Sequence, residues 1–215
     1  MLIEPYSKLV MIGDSITDCG RAQPVGEAFK DGLGNGYVSL VNALLTSTYP
    51  AHRIRVMNTG TGGNTVLDLA ARWETDVLAL HPDWLSVMIG INDVWRQFDS
   101  PLQTEWHVPL EVYIATLENL IAQTRPHLRG LVLMSPYLIE PNSFEPMRAM
   151  MDTYAAAMGQ VAVRHRAIFV DTQAAFDTAL KDIHPMTLAW DRVHPDQAGH
   201  MIIARAFLSA ISFKW

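Results

Sequence analysis

Leu9-Val10-Met11-Ile12, ended at once by Gly13-Asp14-Ser15-Ile16-Thr17, decides the fold. An apolar run this short, with no polar alternation, reads as a strand buried on both faces. The same pattern returns at residues 54–57, 84–89, 131–134 and 167–170, and several of these runs end in Gly, Asn, Ser or Asp. Helix-like stretches separate them, at residues 37–48, 66–80, 110–125, 146–164 and 195–211. Leu110, Ile114, Leu117 and Ile121 show the i, i+4, i+7, i+11 spacing of one buried helix face. Strand–helix alternation repeated five times predicts a three-layer α/β/α sandwich around a mostly parallel, five-stranded sheet. Two loops, residues 20–36 and 94–109, leave the C-terminal ends of their strands, the edge at which open α/β sheets bind ligands.

A chain of 215 residues can bury one sizeable core, and no linker, repeat or low-complexity block divides it, so one domain over residues 1–215 is expected. With 49% hydrophobic and 18% charged residues it has the composition of an ordinary globular protein. The net charge of −6 and the lack of a Lys/Arg stripe argue against nucleic acid and against anionic membranes. No apolar run approaches the ~18 residues of a membrane span. Cys19 is the only cysteine, so no intramolecular disulfide can form. Met1-Leu2-Ile3-Glu4-Pro5 has neither a basic n-region nor an apolar h-region, so no signal peptide is read there and the cytoplasm is the expected compartment.

The strand ends carry the chemistry. Ser15 lies just past the first strand. Asn58-Thr59-Gly60-Thr61-Gly62-Gly63-Asn64-Thr65 follows the second, and Gly90-Ile91-Asn92-Asp93 the third. Asp191-Arg192-Val193-His194-Pro195 precedes the last helix. A parallel sheet brings the C-terminal ends of its strands to one edge, so these distant segments should converge. A serine hydroxyl needs a base to act as a nucleophile, and His194 can supply it. Asp191, three residues earlier, can turn back to hold the Nδ1 proton of the ring. An oxyanion needs two or three fixed donors. The open backbone N–H of Gly63, the side-chain amide of Asn92 and the Ser15 N–H are the candidates. The local alternatives are that Asp191 caps the last helix, with Pro195 in its first turn, and that the glycines form an ordinary strand-to-helix turn. Neither phosphate-binding glycine pattern occurs, nor does G-x-S-x-G.

Taken together, these four blocks resemble the SGNH (GDSL-type) hydrolases, a family named for Ser, Gly, Asn and His in these positions. The resemblance implies a flavodoxin-like fold, Ser15 as nucleophile, His194 as base with Asp191 as its partner, and Ser15, Gly63 and Asn92 as the oxyanion hole. It implies no cofactor. Within the family, Gly13–Arg21, Ile89–Arg96 and Ala189–Pro195 are similar to the bacterial acetyl-xylan esterases. Removal of O-acetyl groups from short xylan fragments is therefore the implied activity. A broad esterase, thioesterase or lipase could use the same machinery, and a non-catalytic binding protein could keep the fold.

Other residues compete for attention. His184, Asp191, His194 and His200 lie close in sequence but lack metal-binding spacing, so no metal is expected. Cys19 reads as an inert thiol, and Asp14 and Asp93 as supports for loop hydrogen bonds. Trp95 and Trp190, beside the proposed site, are candidates to stack on a sugar. Trp106, Phe213 and Trp215 are assigned to packing or to an interface in a homo-oligomer.

Overall fold

The structure, a computed structural model, describes residues 1–27 and 30–215; residues 28 and 29, within the loop 20–36, lie outside the described residues. In chain order its elements are β1 (Lys8–Gly13), α1 (Ser15–Asp18), β2 (Gly26–Glu27), α2 (Tyr37–Thr48), β3 (Arg55–Asn58), α3 (Val66–Asp76), β4 (Trp84–Met88), α4 (Ile91–Asp99), α5 (Leu110–Thr124), β5 (Gly130–Met134), α6 (Pro146–Arg164), β6 (Ile168–Val170), α7 (Thr172–Ala179), α8 (Pro185–Leu188) and α9 (Gln197–Ala210).

The sheet runs β2-β3-β1-β4-β5-β6. All pairings are parallel except that of β2, a two-residue antiparallel addition on β3. The five expected strands are thus present, in the flavodoxin-like order, and β2 makes a sixth at the edge. Leu9, Val10, Met11 and Ile12 are all fully buried, as a central strand covered on both faces requires. Right-handed crossovers fix the layers. The chain moves outward from β1 to β3 and then back past β1 to β4, so α2 and α3 cover opposite faces. Accordingly α2 and α7 pack on α9, while α3 and α6 pack on α5.

This reversal of direction at β1 opens a crevice beyond the carboxyl ends of β1 and β4, where Gly13 pairs in register with Met88. Helices α2 and α6 have the expected bounds. Two readings are corrected. The loop expected at 94–109 is helical at its start, because α4 runs to Asp99. Helix α9 begins at Gln197, two residues after Pro195, and Asp196 caps it by accepting the Gly199 N–H at 2.9 Å. Asp191 is therefore free of the capping task.

Candidate active site

Ser15 is the first residue of α1, a single turn entered straight from β1. Asp14 caps that turn by accepting the Ile16 N–H at 2.9 Å, which aims the next side chain out over the strand end. Ser15 Oγ stands 2.8 Å from His194 Nε2, and His194 Nδ1 stands 2.6 Å from Asp191 Oδ2. The other oxygen of Asp191 accepts the backbone N–H of Val193 at 3.0 Å and of His194 at 2.8 Å. One carboxylate thus holds both the ring and the turn that carries it. Burial raises the Asp191 carboxyl, but the hydrogen bonds from His194 and Val193 outweigh it and hold the group below its ordinary value. A carboxylate kept anionic on Nδ1 leaves Nε2 to take a proton from the serine hydroxyl.

The glycine loop shows why Gly63 stands apart. Thr59 N–H donates to Met11 O, Gly60 N–H to Asn58 Oδ1, Thr61 N–H to Gly13 O and Gly62 N–H to Asp18 Oδ2. Asn64 and Thr65 donate to Thr61 O and Asp68 Oδ2. Among the described residues, only the Gly63 amide of this run has no acceptor. Gly63 adopts φ +78°, in the left-handed region that favours glycine, and a Cβ there would meet nothing within 4 Å. The Ser15 N–H, at the first helical position, is likewise without an acceptor among the described residues. Asn92, in the first turn of α4, gives one amide hydrogen to Asn64 O at 2.9 Å and keeps the other.

Two arginines brace this loop. The Arg72 guanidinium, on α3, donates from Nη2 to Gly13 O at 2.9 Å, from Nη1 to Thr59 O at 2.6 Å and from Nε to Asn64 Oδ1 at 2.6 Å. It therefore ties the segment before Ser15 to both sides of Gly63, and Asp76 balances its charge at 2.6 Å. Arg21, buried, donates from Nε to Gly60 O at 2.7 Å. The loop also docks without side chains: a Cβ at Gly60 would stand 2.3 Å from Asp18 N. Sequence reading missed both arginines. Arg21 reaches Gly60 across 39 residues and Arg72 reaches Gly13 across 59, so no local spacing announces these ties.

Asp14 and Asp93 are buried carboxyls behind the loop. Burial pushes each up to about 7. Asp93 Oδ1 accepts the Val66 N–H at 3.0 Å, while its Oδ2 is buried without a hydrogen-bond partner. Both carboxyls thus support loop hydrogen bonds, as expected. Cys19 Sγ lies 3.2 Å from His200 Nε2. Burial, and then the charges of Asp18 and Asp14, push the Cys19 thiol up to about 12, which disfavours the thiolate at neutral pH. Burial pushes His200 down to about 4, and its Nδ1 accepts the Tyr37 N–H at 3.3 Å. Among the described residues no group of three or more His, Cys, Asp or Glu could hold a metal ion.

The tryptophans divide. The Trp95 ring lies 5.8 Å from the His194 ring. Trp190, although it adjoins Asp191, is 82% exposed. Phe213 is buried within the chain against Tyr49, whereas Trp215 is exposed beside Arg205. Trp106, assigned to packing or an interface, is half-exposed and lines a cavity together with Gly63.

The profile of the GDSL-like Lipase/Acylhydrolase family matches residues 11–202. The chain is 56% identical over 215 residues to the acetylxylan esterase of Geobacillus stearothermophilus, covering 100% of this chain and 98% of that protein. The crystal structure of Axe2, an acetylxylan esterase from the same organism, matches with a TM-score of 0.99 and 56% identity, over 100% of this chain and 98% of that one. Its catalytic mutant S15A matches with a TM-score of 0.99 and 55% identity over the same shares. H194A and D191A are further catalytic mutants of that enzyme.

Proposed function

The chain belongs to the GDSL-like lipase/acylhydrolase family, and on that premise we propose that it is a serine esterase that removes O-acetyl groups from carbohydrate, with acetylated xylo-oligosaccharides as its substrates. The observation that carries the reading is the unbroken line from Asp191 through His194 to Ser15, beside the free Gly63 amide. Ser15 Oγ attacks the acetyl carbonyl while His194 Nε2 takes its proton. Ser15 N–H, Gly63 N–H and the second hydrogen of the Asn92 amide hold the oxyanion. The sugar hydroxyl leaves with the proton from His194, and water repeats the cycle on the acetyl-serine. Every step is served by side chains and amides of this chain, so the reaction calls for no cofactor. The catalytic mutants of Axe2 support the three roles, and its identity as an acetylxylan esterase supports the substrate class.

The unit that acts is one domain over residues 1–215, because a single buried cluster runs from Ile3 to Phe213. Among the described residues no helix is long and apolar enough to cross a membrane; the cytoplasm is the compartment proposed. Exposed Trp190 and Trp215 support self-association into a homo-oligomer, and a light-scattering mass near 24.0 kDa at micromolar concentration would refute that.

Acetate release from acetylated xylo-oligosaccharides, run beside a nitrophenyl ester series of rising acyl length, tests the function. Strong release and a preference for acetyl over octanoyl are expected, both abolished in Ser15→Ala. A preference for octanoyl would replace the deacetylase with a lipase on the same residues.

A further inference from the structure

Beside Gly63 the surface opens into a cavity of about 290 Å³, lined among others by Leu67, Asp68, Arg96, Glu105 and Trp106. One wall of this cavity is therefore Gly63, whose amide has no acceptor among the described residues and whose neighbour Gly62 would place a Cβ 3.9 Å from that of Ser15. An ester has two sides, and the cavity is too large for the smaller one. An acetyl group occupies about two water volumes, ~60 Å³. The whole cavity lies near the lower bound of ligand pockets, a size suited to a sugar ring.

The lining also discriminates. A long acyl chain wants apolar walls, and it would strip water from Asp68, Arg96 and Glu105 without replacing their hydrogen bonds. A sugar has an apolar ring face and a rim of hydroxyls. Trp106, 55% exposed, and Leu67, 45% exposed, offer the apolar surface, and the charged groups surround it.

This surface is held in place. Trp106 ends a single tight turn, Thr104–Trp106, and its N–H donates to Gln103 O at 2.9 Å. The next residues are anchored below: His107 Nε2 lies 3.0 Å from Ser100 O, and Tyr154 Oη donates to Val108 O at 2.6 Å. The segment from Asn92 to Val108 thus carries an oxyanion amide at one end and the exposed indole at the other. Arg96 joins the two, because its Nη2 lies 3.4 Å from Asn92 Oδ1 while its guanidinium lines the cavity.

We propose that this cavity is the subsite for the sugar ring that carries the acetyl group, with the Trp106 indole as its stacking platform and Arg96, Glu105 and Asp68 as partners for its hydroxyls. The proposal rests on the deacetylase reading and assigns the alcohol side of the ester within it.

Trp106→Ala and Leu67→Trp, both at exposed positions, test it on two substrates: monoacetylated xylotriose, and ethyl acetate, whose alcohol has neither a ring to stack nor a hydroxyl rim to bind. For Trp106→Ala, KM for the acetylated xylotriose should rise about tenfold, the scale of one aromatic contact, with ethyl acetate turnover unchanged. Trp106→Phe should recover most of the loss. Leu67→Trp, which fills the cavity, should suppress oligosaccharide turnover and spare ethyl acetate. Unchanged oligosaccharide kinetics in both variants would overturn the subsite, as would equal losses on both substrates. So would a Trp106→Ala effect confined to nitrophenyl octanoate, which would give the cavity to the acyl chain. A parent enzyme that hydrolyses ethyl acetate but releases no acetate from the oligosaccharide would overturn the deacetylase reading itself, and the two failures are thereby distinct.

Discussion

Asn92→Ala separates catalysis from support at one residue. Asn92 is 2% exposed and does two things: one amide hydrogen binds Asn64 O, and the other is assigned to the oxyanion. Loss of the first leaves a partly buried carbonyl without its donor, about 1 kcal/mol. For a chain of this length that lowers Tm by roughly 2–4 °C. Loss of the second removes one donor of three from charge that develops only in the transition state, so kcat should fall by about 10²–10³. KM should hardly move, because the ground-state carbonyl carries little of that charge. The catalytic loss, about 3–4 kcal/mol, thus exceeds the folding loss several-fold. Initial rates on nitrophenyl acetate and a thermal melt of the same preparation measure both. A variant with a lowered Tm and parental kcat would remove Asn92 from the oxyanion hole and leave it as a staple for Asn64.

Three further outcomes are expected. Ser15→Ala, His194→Ala and Asp191→Ala should each cripple nitrophenyl acetate turnover, and double variants should lose little more, since the three act as one unit; losses that multiply would contradict this. Arg72→Met should lower kcat with KM steady, and added ethylguanidinium should restore part of it, because the guanidinium holds Gly13 O, Thr59 O and Asn64 Oδ1 around the Gly63 amide; a lower Tm with full kcat would reduce Arg72 to a structural tie. Asp14 and Asp93, raised to about 7 when folded, hold protons that the unfolded chain releases near 3.9, so their stabilisation is complete below that value and is lost as pH rises to about 7. Asp191 and Glu118, held low, act oppositely and lose stabilisation as pH falls into the acid range. Asp93→Asn should therefore flatten the fall in urea stability between pH 4 and pH 7, by up to about 1.4 kcal/mol per pH unit; an unchanged slope would refute the buried proton.

The strand positions, the single sheet and the residues Ser15, Gly63, Asn92, Asp191 and His194 were legible in the sequence because their signals are local. A strand buried on both faces must be apolar throughout, a strand-to-helix turn at a ligand edge must carry small or polar residues, and Asp191 reaches His194 within one turn of chain. Helix α4 was legible too, because Ile91, Val94, Trp95 and Phe98 recur at the i, i+3, i+4, i+7 spacing of an amphipathic helix; its short length and the Gly90-Ile91-Asn92-Asp93 turn at its start let it read as a loop. The ties of Arg21 and Arg72 depend on backbone carbonyls, which have no letter in a sequence, brought near only by the folded chain. Trp190 and Trp106 show the same limit. Trp190 adjoins Asp191 yet stands in solvent, while Trp106, near the far end of the 94–109 segment, shares a cavity with Gly63. Local sequence determined which groups carry the chemistry; tertiary packing alone decided which groups brace them and which surface meets the sugar, because those contacts join residues whose neighbours in space are remote in the chain.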